Sequence, residues 1–258
     1  MKTMEKIFWI AAATVLTSTG FAQEKKVASA PPKMVSEMTS VWTPKPPVVT
    51  PADMDAVVPP PSDALVLFGA GGDVSEWRHH DGSPIQWEVS GGVMTVKPGA
   101  GAIFTKREFE DFQLHVEWSS PTEVKGEGQG RGNSGIFLQD RYEMQVLDSY
   151  KNETYVNGMA GSLYKQSPPL VNVAQQPGKW NIFDIIYTAP RFKEHGTLHE
   201  YGRVTLLWNG VLVQNHTLIL GTTVNAGLPK IVPHGRGPLQ LQDHRNPVSF
   251  RNIWIREL

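Results

Sequence analysis

Apolar and polar residues alternate with a period of two along much of the chain after residue 110. Phe112, Leu114, Val116 and Trp118 alternate with Gln113, His115 and Glu117, and Tyr142, Met144 and Val146 alternate with Glu143 and Gln145. Such runs predict strands that turn one face to a core and the other away from it. Val204, Leu206 and Trp208 lead into Asn209-Gly210, a dipeptide that favours a two-residue hairpin turn, and Val211 and Val213 follow. Leu239 and Leu241 alternate with Gln240, Gln242 and His244. Near the C-terminus Val248, Phe250, Asn252 and Trp254 alternate with Arg251, Ile253 and Ile255. The stretch from Asn181 to Tyr187 is apolar on both faces apart from Asp184, which predicts a central strand. No segment carries a long helical period, and Gly and Pro recur too often for one. The expected fold is all-β, a sandwich or jelly roll.

The first 62 residues read differently. Lys2 and Lys6 flank the start of an apolar run from Ile7 to Leu16, and Gly20-Phe21-Ala22 offers a small-residue cleavage site. Residues 1–22 are therefore expected to be a signal peptide, with an uncleaved anchor as the alternative. The apolar run is too short to span a bilayer comfortably, so no membrane span is expected in the mature chain. The chain has no cysteine, which excludes disulfides and a lipid-modified cysteine and favours a bacterial periplasm over a eukaryotic secretory route. The protein is expected to be exported, periplasmic or secreted. Residues 23–62 hold nine prolines between Pro31 and Pro61 without hydrophobic periodicity and predict a disordered, extended tether. Residues 63–258 suit one domain. A net charge of -1 in 258 residues argues against nucleic acid as a partner.

The candidate chemistry lies between Gly126 and Tyr150, where a Gly-rich polar loop runs into two short strands. Alternation puts Glu143 and Gln145 on one face, and one extra residue at Val146-Leu147 would bring Asp148 round to join them. Two carboxylates and an amide on one sheet face suit a sugar, because they accept hydroxyl hydrogen bonds and move protons. Gly130, Gly132 and Gly135 match the dinucleotide pattern G-x-G-x-x-G only formally, since a strand-like run follows where a helix is needed. Glycine instead leaves room for backbone, Arg131 and Asn133 to approach a ligand. The spacing Glu143-x-Gln145-x-x-Asp148 resembles the Glu-x-Asp-x-x-Glu strand motif of laminarinase-type glycosidases, with an amide in place of the middle acid. His115-x-Glu117, with His244 and Asp148, is compatible with a divalent cation, although a hydrogen-bonded histidine is the simpler reading. No organic cofactor is expected. Gln242-Asp243-His244 ends a strand where an acid or base could project, while Asp243 could equally serve turn donors. Trp180 and Trp208 suit either a core or a sugar platform.

Several runs together carry a family resemblance: Leu67-Phe68 through Trp77, Trp87 to Val96, GQGRGNSGIFLQDRYEMQVLDSY, Trp180-Asn181 to Phe192, and the closing GPLQLQDHRNPVSFRNIWIREL. Residues 63–258 are similar to the 3-keto-disaccharide hydrolase domain family, long catalogued as a domain of unknown function. The resemblance implies a concanavalin A-like jelly-roll β-sandwich and action on glycosides already oxidised to a ketone at sugar carbon 3. The chain departs from the family at the first turn, Gly69-Ala70-Gly71-Gly72, where an Asn-Gly-Lys-type sequence is usual. A 3-keto group acidifies the hydrogen on carbon 2 and places the glycosidic oxygen for β-elimination. The expected catalytic set is Glu143 and His244 as base and acid in either order, Asp148 as an alternative acid, and Arg131 or a cation at the enolate oxygen. Asn133, Gln139, Gln145, Gln242 and His115 are the expected substrate-binding residues. A laminarinase-like glycosidase on unoxidised glucans and a non-catalytic carbohydrate-binding module are the alternatives.

Overall fold

Strands form where the alternation predicts them. A computed structural model describes residues 33–51 and 56–258. Its fifteen strands are, in chain order, β1 Leu65–Phe68, β2 Trp77–His79, β3 Glu88–Ser90, β4 Val93–Thr95, β5 Ile103–Thr105, β6 Phe112–Ser119, β7 Asn133–Leu138, β8 Tyr142–Leu147, β9 Asn181–Thr188, β10 Arg191–Phe192, β11 Leu198–Glu200, β12 Arg203–Trp208, β13 Val211–Leu218, β14 Gln240–Leu241 and β15 Ser249–Glu257. An eight-stranded sheet runs β13-β12-β9-β6-β15-β4-β3, with β1 also on β15, and a five-stranded sheet runs β2-β5-β14-β7-β8. Every strand pairing is antiparallel. The expected jelly-roll β-sandwich is thus the fold of the unit Met34–Leu258. The expected signal peptide lies outside the described residues, and among those that are described no helix is long and apolar enough to cross a membrane.

The core lies between the two sheets. Phe112, Leu114, Val116 and Trp118 from β6, Phe183 and Ile185 from β9, and Leu206 and Trp208 from β12 meet Ile136 and Leu138 from β7, Met144 and Val146 from β8, and Leu241 from β14. β9 is central as expected, between β6 and β12. Trp208 belongs to this core, edge-on to Phe183 at 5.8 Å, and is no sugar platform. The β12–β13 hairpin turns on Asn209 (φ 53°) and Gly210 (φ 76°), the pair of positive φ angles that a type I′ turn requires.

The alternation predicted for β15 fails at Asn252. That residue takes φ 46°, and the register against β6 shifts between Arg251 and Trp254. After this bulge Ile253 and Ile255 join Phe250 in the core, while Asn252 and Trp254 turn to the outer face of the eight-stranded sheet. There Trp254 stacks on His115 at 4.9 Å and 4°. His115 Nδ1 lies 2.7 Å from Asp184 Oδ1, and its Nε2 lies 3.4 Å from Glu117 Oε1. Glu117 also accepts from Arg251 Nε at 2.5 Å and Asn252 Nδ2 at 2.7 Å. Burial disfavours the charged form of His115, but its bonds to Asp184 and Glu117 and their charges outweigh that and raise its pKa. Trp180 is covered here too, with the Arg251 guanidinium 4.1 Å from its ring centre.

The Pro-rich stretch departs from the expected free tether. Pro47 O accepts from Asn172 N at 2.7 Å, and Val49 N donates to Asn172 O at 2.9 Å. Further along, Asn252 Nδ2 donates to Val58 O at 2.7 Å. Proline has no N–H to give, but its carbonyl still accepts, so the domain can hold such a segment through backbone alone.

Replacing Arg251 with Met removes the guanidinium from the fully buried Glu117 carboxylate and leaves it only the more distant His115 ring and Asn252. Removing one partner of a buried pair costs about 3–5 kcal/mol, so R251M is expected to unfold at clearly lower denaturant, with the folded fraction otherwise intact.

Candidate active site

β7 and β8 pair without a bulge: Asn133 lies opposite Leu147, Gly135 opposite Gln145, Ile136 opposite Met144 and Phe137 opposite Glu143. With Ile136, Met144 and Val146 committed to the core, Asn133, Phe137, Glu143 and Gln145 must all stand on the outer face of the five-stranded sheet. β14 continues that face. Leu241 pairs with Ile136, and Gln242 N then donates to Gly135 O at 2.9 Å, so Gln242 points outward and His244 follows it. Loops raise walls around this floor: Gln129 from the Gly-rich segment, Tyr155 and Tyr164 from the β8–β9 connection, and Thr223 and Asn225 from the β13–β14 connection. Together these eleven residues line a pocket of about 420 Å³, within the range of small-ligand sites.

Glu143 dominates its electrostatics. The residue is 5% exposed, and its backbone is fixed by Thr223 Oγ1, which accepts from its N–H at 2.9 Å, and by Tyr164 N, which donates to its carbonyl at 3.0 Å. No group among the described residues hydrogen-bonds its carboxyl, and burial alone pushes the pKa up to about 8. The carboxyl leans across β7 where Gly135 has no side chain; a Cβ there would stand 2.5 Å from Glu143 Oε1. Beside it, Gln145 Nε2 donates to Asn133 Oδ1 at 2.8 Å, which orients both amides. Gln242 Oε1 is buried without a partner. The Tyr155 and Tyr164 hydroxyls are 2.7 Å apart, and Tyr164 donates to Asn225 Oδ1 at 3.1 Å. Burial raises the pKa of both phenols, so they remain neutral donors. An acid held neutral, an exposed imidazole at His244, neutral donors and the Phe137 ring form a set that can grip a sugar and move its protons.

Of the expected site residues, the structure brings together Glu143, His244, Asn133, Gln145 and Gln242. It does not bring in Asp148, Arg131, Gln139 or His115. The extra residue expected at Val146-Leu147 is absent, so Asp148 stays off the pocket face. Its Oδ2 lies 3.3 Å from Arg131 Nη1, and its Oδ1 accepts from Tyr150 N at 3.1 Å. Arg131 also donates to Tyr150 O at 3.0 Å, so the pair ties the Gly-rich loop to the end of β8. Gln139 sits in the β7–β8 turn at φ 53° and reaches inward, donating to Phe109 O at 2.8 Å and accepting from Tyr187 at 2.6 Å. His115 is on the other sheet. The cation set of His115, Glu117, His244 and Asp148 is therefore not assembled, and among the described residues no group of three or more His, Asp or Glu is arranged to hold a metal ion. Asp243 serves a turn, accepting from Gly99, Gly101 and Arg245 backbone. Phe137 was readable from its alternation with Ile136 and Leu138; Gln129, Tyr155, Tyr164, Thr223 and Asn225 sit in loops that carry no periodic pattern.

Two outcomes follow from this geometry. Gly135→Ala is expected to leave the fold intact but move the Glu143 carboxyl, visible as a changed Glu143 titration by carbon-detected NMR. A carboxyl whose folded pKa is raised takes up protons on folding, so its stabilising contribution is lost as pH rises from near 4.5 through about 8. Glu143→Gln should therefore gain stability over the parent above that window, by up to several kcal/mol at about 1.4 kcal/mol per pKa unit, read from thermal unfolding at stepped pH.

Comparison with known proteins agrees with this picture. The family model for a 3-keto-alpha-glucoside-1,2-lyase-like domain matches residues 63–256. A provisionally designated glycosyl hydrolase of Parabacteroides distasonis ATCC 8503 is 54% identical, with a TM-score of 0.76 over 86% of this chain and 96% of that one. Two further proteins of that organism with the same designation are 21% and 20% identical, with TM-scores of 0.54 and 0.52 over 76% of this chain and 94% and 99% of theirs, and share its fold. No curated protein matches the chain in sequence. With three quarters of its length matched, the chain belongs to the 3-keto-alpha-glucoside-1,2-lyase-like domain family.

Proposed function

We propose that this protein is a sugar-directed hydrolase or lyase that cleaves 3-keto-glucosides or 3-keto-disaccharides by β-elimination. One observation carries the reading: Glu143 keeps a buried, unbonded carboxyl with a pKa of about 8 inside a sugar-sized pocket that His244 also lines. At neutral pH that carboxyl is mostly protonated and poised to give a proton. His244 takes the proton from carbon 2 of the keto sugar. The electrons move to the ketone oxygen as an enolate, which the neutral donors of the pocket wall receive. As the enolate collapses, the carbon 1–oxygen bond breaks and Glu143 protonates the leaving oxygen. The products are an alcohol and an unsaturated keto sugar, and addition of water to the latter completes a net hydrolysis. Asp148 and Arg131 are left out of this scheme because neither lines the pocket.

The membership in a 3-keto-glucoside lyase-like family and the glycosyl hydrolase designation of the 54% identical relative both support a glycoside as substrate. A retaining glycosidase on unoxidised glucans fits less well. That mechanism needs two carboxyl groups about 5–5.5 Å apart, and Glu143 is the sole carboxylate lining the pocket among the described residues.

Assaying a 3-keto-disaccharide and its unoxidised parent side by side tests the reading. Cleavage of the keto sugar alone is expected, releasing either the unsaturated keto sugar, which has no hydrogen left on carbon 2, or, after addition of water in D2O, a 3-keto sugar with solvent deuterium there; a hydrated product that keeps its original hydrogen at carbon 2 would remove the elimination. Glu143→Gln should lower kcat by about 10²–10⁴-fold, the usual worth of a positioned acid or base. The parent's kcat/KM should fall at alkaline pH with an apparent pKa near 8, because the acid loses its proton there, and E143Q should lack that limb.

A further inference from the structure

Behind the pocket wall stands a buried cation without an anionic hydrogen-bond partner. Lys165 is 8% exposed, and its ammonium donates to three neutral oxygens, Ser36 O at 3.0 Å, Ser36 Oγ at 3.1 Å and Ser40 Oγ at 2.5 Å. All three belong to the Pro-rich N-terminal stretch, where Ser36–Thr39 forms a 3-10 turn. The same ammonium lies 3.9 Å from the centre of the Tyr155 ring and 5.9 Å from that of Tyr164. Ser36 Oγ also donates to Asn225 Oδ1 at 3.1 Å, the acceptor that Tyr164 uses. One residue past Ser40 the stretch is sewn down again: Val41 N donates to Asn157 Oδ1 at 2.9 Å and Val41 O accepts from Val156 N at 2.6 Å. Trp42 packs edge-on against Tyr155 at 6.2 Å.

A lysine so enclosed is costly to bury. Desolvation pulls its pKa below the ordinary lysine value, and the carboxylate that opposes this, Glu37, is exposed to water. Yet the charge stands against the ring of Tyr155 and near that of Tyr164, two phenols that line the pocket, so it would favour negative charge developing at their hydroxyls. A fixed cation in a water-poor wall stabilises an enolate oxygen bonded there more than it stabilises the neutral ketone, and needs no reorganisation during the reaction.

We propose that residues 36–42 complete the active site from outside the sandwich: Ser36 and Ser40 hold the Lys165 ammonium against Tyr155, and Tyr155 turns its hydroxyl proton from Tyr164 to the enolate oxygen. Ser36, Ser40 and Lys165 are positioning residues; Tyr155 is the catalytic one. The inference rests on the elimination reading for its chemistry, but the clamp is a physical arrangement that can be measured without substrate.

The test uses the full chain and the variants Ser36→Ala/Ser40→Ala, Ser36→Thr/Ser40→Thr and Tyr155→Phe. Amide hydrogen exchange is followed over residues 153–166, with β8 as the internal control. The double alanine variant should speed exchange in that segment about tenfold while β8 is unchanged, and the threonine variant should restore protection. On a 3-keto-disaccharide the alanine variant should lose about tenfold in kcat with KM within about twofold, and Tyr155→Phe should lose more. Unchanged exchange would overturn the clamp. Loosened exchange with normal kcat, or a loss confined to KM, would overturn its catalytic part. If the parent itself fails to turn over any 3-keto sugar, the elimination reading and the enolate role fall together, and exchange alone decides whether the clamp exists.

Discussion

The unbroken pairing of β7 with β8 is the constraint on which the site depends. Side chains in a strand alternate strictly, so a slip of one residue would send Glu143 and Gln145 into the core and bring Met144 and Val146 out. The core residues Ile136, Met144 and Val146 hold the register. The same register places Gly135 beneath the Glu143 carboxyl, where any larger residue would intrude. Hydrophobic packing on one face thus fixes, to within a side chain's reach, where an acid stands on the other.

The two outer faces of the sandwich show what such polar groups can become. On the eight-stranded sheet His115, Asp184, Glu117, Arg251 and Asn252 satisfy one another and are roofed in part by Val58. These five residues leave one another little to offer a ligand, although the indole Nε1 of the neighbouring Trp254 is buried without a partner. On the five-stranded sheet the Glu143 carboxyl and Gln242 Oε1 lack such partners. Buried polar atoms left open are costly, and they are tolerated where a ligand supplies the missing bonds. The contrast separates structural from functional polarity on strands whose sequences look alike.

Much of the fold was legible because alternation is a direct record of burial. β6, β8, β9 and the Asn209-Gly210 hairpin could be read from the residues themselves, as could the grouping of Glu143, Gln145, Gln242 and His244. What failed were the interruptions. A bulge expected at Val146-Leu147 is absent, and one at Asn252 is present, where a single left-handed residue makes it and leaves little trace in composition. The wall residues Tyr155, Tyr164, Thr223 and Asn225 were missed because their loops obey no period. The hold of the domain on residues 34–49 was missed for a related reason: it runs largely through backbone carbonyls and small hydroxyls, which hydrophobic periodicity does not register.

The far edge of β8 is not bare. Gln145 N donates to Ser162 O at 3.0 Å, Gly161 N to Gln145 O at 2.9 Å and Tyr164 N to Glu143 O at 3.0 Å. An open rim would offer these groups to any extended peptide that drifted past. Here the chain's own loop fills the vacancy, so β-augmentation along the strand that carries Glu143 is closed to foreign segments, and any ligand must approach the hollow from above rather than by lengthening the sheet.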